Sequence, residues 1–182
     1  MAGFRDVRSV TTKTITFLVL AAAILSCGAA AQASEEEFLK TLNGGWNGDG
    51  KIKIRVNSFP LSITCKFTSH VSGTSLSLRG KCSSFLGFSR VIGADIMADG
   101  SRYSGTYVGA GTGVAGLNGK RSGNAIKLAI HWAKEVNGDR SARMMIEKIG
   151  SDGMSLTTVD TDPKTGKEVV TSQIDLRRTS SP

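Results

Sequence analysis

Histidine and cysteine are both scarce: the 182 residues hold two of the first and three of the second. His70 and His131 stand far apart, with no second ligand at metal spacing, which excludes an ordinary zinc site. Neither has a serine, cysteine or acid nearby in the pattern of nucleophilic catalysis, so the chain is not expected to be an enzyme. Long apolar runs are missing as well. The most apolar stretch, Ile15 to Leu25, falls short of the roughly 20 residues a membrane-spanning helix requires. There is no internal repeat, low-complexity tract or domain linker.

That apolar stretch has its own explanation. Arg5, Arg8 and Lys13 precede it, and small residues follow it up to Ala31-Gln32-Ala33. A cationic start, a short apolar centre and an A-x-A end make a signal peptide. The reading divides the chain into a removed segment, 1–33, and one exported domain, 34–182, with the periplasm as its compartment. A second processing route competes. Ile24-Leu25-Ser26-Cys27 before Gly28 is a loose lipobox, and acylation of Cys27 would anchor the protein to the outer membrane. Leu25 fits that site poorly, and cleavage after Ala33 is the better match.

Lysine and arginine outnumber acids 23 to 15, a formal charge of +8. The first 33 residues remove three cations and one acid, so the exported domain stays basic. Such a surface suits anionic company: lipopolysaccharide, an acidic polysaccharide or an anionic ligand. Nucleic acid is not expected, because the compartment is wrong and the cations do not cluster. A basic surface serving solubility alone remains the other reading.

Loss of Cys27 with the signal leaves Cys65 and Cys82, an even pair in an oxidising compartment, which predicts one disulfide. Hydrophobic periodicity supports the same pairing. Only one helix is expected, from a Ser34-to-Glu37 capping box through Phe38 and Leu42 to Asn43-Gly44-Gly45. From Trp46 onward the period is two, with Gly48, Gly50, Ile52, Ile54 and Val56 on the Trp46 face. Eight further segments alternate in the same way, and Gly113 to Arg121 is a weaker ninth. Asp99-Gly100, Asn137-Gly138 and Asp152-Gly153 mark turns between them. The expected fold is all-β, a single antiparallel up-and-down barrel of about 8–10 strands with a short N-terminal helix. If Gly73-Thr74 is a two-residue turn, the register that pairs Ser72 with Ser75 also pairs Cys65 with Cys82. The cysteines then share the Val71/Leu76 face, and His70, Lys66 and Arg79 fall on the polar one. The closed loop is worth about 3 kcal/mol by chain entropy.

Two motifs are decoys. Gly111 to Gly116 matches G-x-G-x-x-G, but Gly119, Gly123 and Asn124 follow and prevent the helix a nucleotide site needs. Asp160 to Gly166 begins like a calcium loop, yet Lys164 occupies a ligand place and no glutamate closes it.

The helix leading into Leu42, Gly44, Trp46, Gly48, Gly50 and Ile52 resembles the start of the calycin group: lipocalins, fatty-acid-binding proteins and nitrobindin-like barrels. The resemblance implies a short helix closing one end and a buried tryptophan opening the first strand. Some periplasmic protease inhibitors share a similar tryptophan-led barrel. The haem-binding histidine of nitrobindin-like proteins has no counterpart, since no histidine follows His131, and no cofactor is expected. Calycin barrels carry an arginine on the tryptophan, which points to Arg178 closing over Trp46; a solvated tail at Arg177 and Arg178 is the alternative.

Three functions are compatible with these features: a barrel binding a small apolar or amphipathic ligand, a protein-binding module such as an inhibitor, or a structural envelope protein. Small inward residues, Gly48, Gly50, Ser69 and Gly80, suggest interior room and favour the first. N-terminal sequencing of the exported protein is expected to begin at Ser34; a blocked, acylated Cys27 contradicts cleavage after Ala33.

Overall fold

The computed structural model describes residues 34–180 and the isolated residue 3. The segment 1–33, with Cys27 and both processing sites, otherwise lies outside the described residues. A short helix, α1 (residues 34–40), precedes β1 (Gly44–Ile52), β2 (Leu61–Ser72), β3 (Ser75–Ser83), β4 (Ser89–Asp99) and β5 (Arg102–Val108). The second half continues with β6 (Ala115–Ser122), β7 (Ala125–Val136), β8 (Asp139–Ile149), β9 (Gly153–Thr161) and β10 (Glu168–Ser180). Each strand pairs antiparallel with its chain neighbours, and β1 pairs with β10, so ten strands close an up-and-down barrel without a free edge.

Alternation sets which side chains face in. On β2, Ile63, Cys65, Phe67 and Ser69 are buried while Thr64, Lys66, Thr68 and His70 are exposed. The β2–β3 register is the anticipated one, from Ser72 opposite Ser75 to Cys65 opposite Cys82, and the two cysteines form a disulfide. Gly73 supplies the positive φ of the turn, 56°, and Thr74 has none, as a type II′ hairpin requires.

Two expectations need correcting. β1 stops at Ile52 instead of running to Val56. After Lys53 donates to the Thr171 carbonyl, the backbone folds into a turn in which Ser58 bonds Arg55, and Ile54 is left exposed. The apolar face of α1 carries Leu39 with Leu42, both fully buried, while Phe38 is only half-buried. An acid explains the rotation. Glu35, on the same face, accepts from Arg121 at 2.7 and 2.9 Å and from the Tyr103 hydroxyl at 2.5 Å. Arg121 lies 4.8 Å over the Phe38 ring, so the phenylalanine covers the ion pair. Glu37, the expected capping residue, is exposed.

This end of the barrel is filled. Trp46 is fully buried, and its Nε1 donates to the Leu42 carbonyl at 3.1 Å and to Ser69 Oγ at 3.0 Å. Arg178 stands directly across the β1–β10 seam from Trp46, its guanidinium 4.3 Å from the indole centroid. The same guanidinium donates to the carbonyls of Asn43 and Thr41, where the chain leaves α1. One side chain therefore ties the last strand, the first strand and the plug.

The inward small residues do not open space; they admit neighbours. A Cβ on Gly48 would come within 1.9 Å of the Asp175 carbonyl, because β10 crosses β1 at close range there. Gly80 accommodates the Phe67 ring, which a Cβ would meet at 2.1 Å. Ser69 is engaged by Trp46. Room inside the barrel has to be sought at the other end.

Two measurements follow. Arg178→Ala should lower the melting temperature, by about 2 kcal/mol of stability from its charged hydrogen bonds, and alter Trp46 fluorescence. Arg177→Ala, on the outward parity, should do neither. Burial alone would raise the Glu35 pKa; hydrogen bonds from Arg121 and Tyr103 and the charge of Arg121 outweigh it and hold it below the ordinary 4.5. A depressed folded value means that its stabilisation is present above the unfolded pKa and is lost as pH falls through the folded one. Glu35→Gln should lose stability at neutral pH and show a shallower fall in unfolding free energy on acidification. Parallel pH curves for parent and variant would contradict the assignment.

Candidate functional site

Five connections, β1–β2, β3–β4, β5–β6, β7–β8 and β9–β10, gather at the end opposite α1. Below them lies a cavity of about 150 Å³. Its apolar wall includes Ile52, Ile63, Phe88, Ile92 and Val136, and the Cys65–Cys82 disulfide reaches it through Cys82. A smaller void of about 30 Å³ continues toward the barrel centre and shares Ile92, Tyr107, Thr158 and Ser172 with the first.

Polar groups converge on the same space. Trp132 follows Ile126, Leu128 and Ile130 on the inward row of β7 and is buried; its Nε1 has no hydrogen-bond partner among the described residues. An orphaned buried indole N–H is unusual, since leaving such a donor unmade costs roughly 1–3 kcal/mol. Tyr107, on the inward row of β5, packs its ring 5.9 Å from that of Trp132. Burial pushes its phenol up to about 12, against a small opposing pull from Arg90, so it is a neutral donor. Gly109 makes the room, because a Cβ there would lie 2.1 Å from the Tyr107 hydroxyl.

Arg90 on β4 and Asp160 on β9 stand on diametrically opposite walls, five strands apart either way around the barrel. Arg90 gives one N–H to the Gly109 carbonyl at 3.0 Å and packs 5.4 Å over Phe88; no acid pairs with it among the described residues. Asp160 is buried and already served by Asn137 Nδ2 at 2.6 Å and the Thr161 amide at 2.8 Å. Asn137, at φ 58°, also accepts from the Val56 amide, joining the β7–β8 turn to the β1–β2 loop. The arrangement can grip a small molecule with an apolar body and an acceptor or anionic group.

The residues singled out from the sequence sit elsewhere. Trp46 and Arg178 belong to the filled end, and the disulfide forms wall without chemistry. His70 and His131 are both exposed on the outer face. The glycine-rich segment is the β5–β6 loop leading into a strand, and Asp162 turns the β9–β10 loop by accepting from Lys164 and Thr165. Sequence reasoning missed Arg90, Tyr107, Trp132, Asn137 and Asp160. The signal was there: Tyr107 and Trp132 are large aromatics at the last inward positions of their strands, where a barrel mouth must be.

A larger concavity, about 650 Å³, lies on the outer wall among Lys51, Ser62, Ser83 and Phe85. Its acids are satisfied across strands, Asp49 by Thr64 and Asp175 by Ser155, both at 2.8 Å.

No protein-family model matches the sequence, and no curated protein sequence matches it. Solved structures do. The chain is similar to Rv2717c from M. tuberculosis, at 14% identity and a TM-score of 0.63 over 80% of this chain and 98% of that one. It is also similar to the S-type phycobiliprotein lyase CPES from Guillardia theta, at 11% identity and a TM-score of 0.54 over 83% and 98%. At these identities the likeness is one of fold, and it fits a calycin-like barrel.

Proposed function

We propose that the exported domain is a non-enzymatic barrel that binds a small amphipathic molecule in its open-end cavity. What supports this is an apolar cavity lined by Trp132, whose buried Nε1 has no partner among the described residues, by Tyr107, and by Arg90, which pairs with no acid among them. Specific sites are mostly apolar with a few convergent polar groups, and this one has that make-up. Its size limits the ligand. A cavity of about 150 Å³ accommodates benzene, well below the roughly 300–1,000 Å³ of drug-sized sites. A short-chain or aromatic carboxylate would be held whole; a fatty acid or a pigment would have to protrude through the mouth. Trp132 and Arg90 would hold the carboxylate, and Ile52, Ile63 and Ile92 would hold the apolar body.

Native mass spectrometry of protein purified from its own envelope is expected to show an adduct of one small organic acid. Arg90→Ala and Trp132→Phe should each weaken binding of that acid about tenfold or more, as loss of one charge-assisted hydrogen bond implies. Chemical conversion of the acid during incubation would contradict the non-enzymatic reading. A bare protein mass, with no binding of benzoate or hexanoate, would favour a protein-binding or structural role.

A further inference from the structure

Eight of the ten exposed large apolar side chains among the described residues lie at the open end. Four of the eight, including both phenylalanines, stand on two loops. The β1–β2 loop (residues 53–60) presents Ile54 and Phe59, the latter 96% exposed. The β3–β4 loop (residues 84–88) presents Phe85, fully exposed, and Leu86, 78% exposed. Neither phenylalanine packs on the core. The loops spring from four consecutive strands, and the Cys65–Cys82 disulfide joins β2 to β3 between them. Each loop is also braced internally. Ser58 bonds Arg55 in one, and the Ser84 hydroxyl and carbonyl accept from the Phe88 and Gly87 amides in the other.

Cations surround this patch on the same strands. Lys51, Lys53, Arg55, Lys66 and Lys81 have no ion-pair partner among the described residues. The acids of the open end are Asp49 on β1, which accepts from Thr64, and Glu135, Asp139, Asp160, Asp162 and Glu168 on the β7–β10 side, where Lys134, Arg140, Lys164 and Lys167 also stand. The apolar tips therefore sit on the half of the mouth where cations outnumber acids, while charges of both signs mix on the other half. Exposed aromatic and leucine side chains in a field of lysine suit the boundary of an anionic bilayer, where rings enter the headgroup region and cations meet phosphate.

We infer that the β1–β2 and β3–β4 loops dock the protein on an anionic lipid membrane, tilting the barrel so that its mouth faces the headgroups. Phe59, Phe85 and Leu86 are the inserting residues, and Lys51, Lys53 and Arg55 supply the electrostatic attraction. Lys53 and Ile54 border the interior cavity, but none of Phe59, Phe85 and Leu86 does, so insertion of these three does not depend on what the cavity binds.

The test places a reporter in the full-length protein, in the form the cell produces. Phe85→Trp is compared with Met97→Trp, an exposed position toward the closed end of β4. Each is mixed with vesicles of phosphatidylcholine alone or with phosphatidylglycerol, containing brominated acyl chains. With phosphatidylglycerol present, emission from position 85 should shift to the blue and be quenched, and the response should fade as salt rises. Position 97 should not respond. The triple substitution Phe59→Ser, Phe85→Ser and Leu86→Ser should weaken vesicle binding about tenfold or more while leaving the melting temperature unchanged. An unresponsive position 85, equal responses at 85 and 97, or a triple variant that binds like the parent would overturn the proposal. So would a concentration-dependent dimer lost in the triple variant without any vesicle response, since a second copy would then cover the loops.

Discussion

The indole of Trp46 joins three parts of the chain that lie far apart in sequence. Its N–H reaches the Leu42 carbonyl at the exit of α1 and Ser69 on β2, while Arg178 of β10 covers its face. A barrel of ten strands encloses more volume than an eight-stranded one, and the interior has to be either packed or used. Here it is packed from the Trp46 end. Leu39, Leu42 and Met154 share that floor, and the Glu35–Arg121 pair holds the helix against it. Because the plug fixes one end, the remaining free volume collects at the other.

The ends differ in how their polar groups are treated. At the floor, buried donors and acceptors satisfy one another, including an acid, a guanidinium and a phenol in a single network. At the mouth, among the described residues, the Trp132 indole N–H has no partner and Arg90, on the wall of the same cavity, pairs with no acid. The buried network is complete at one end and incomplete at the other, which is where the proposed binding would take place. The same logic explains the glycines. Gly48 and Gly80 allow tight packing of strand on strand and ring on backbone, whereas Gly109 lets the Tyr107 hydroxyl stand in the mouth.

Much of the architecture was legible in the sequence. Alternation from Trp46 onward, turn pairs and the Cys65/Cys82 register specified strands and a hairpin, since a one-residue slip would move every inward side chain outward. What was not legible depended on approach between distant segments. Gly48 and Gly80 read as empty space, because a sequence does not show that β10 or Phe67 will occupy it. Phe38 read as the buried face of α1 because the pull of Arg121 on Glu35, 86 residues away, has no local trace. The mouth was missed for a related reason: Arg90, Tyr107, Trp132 and Asp160 come from four strands and form no motif.

One end of this barrel is closed and packed, and the other is the proposed seat of a small molecule. The protein has two tryptophans, one at each end, and their indole N–H resonances report on both at once. In a proton–nitrogen correlation spectrum titrated with benzoate or hexanoate, the Trp132 indole signal is predicted to move downfield as its orphan N–H gains an acceptor. The Trp46 signal should stay fixed and exchange slowly with solvent. A stationary Trp132 signal, or a Trp46 signal that moves instead, would contradict the account.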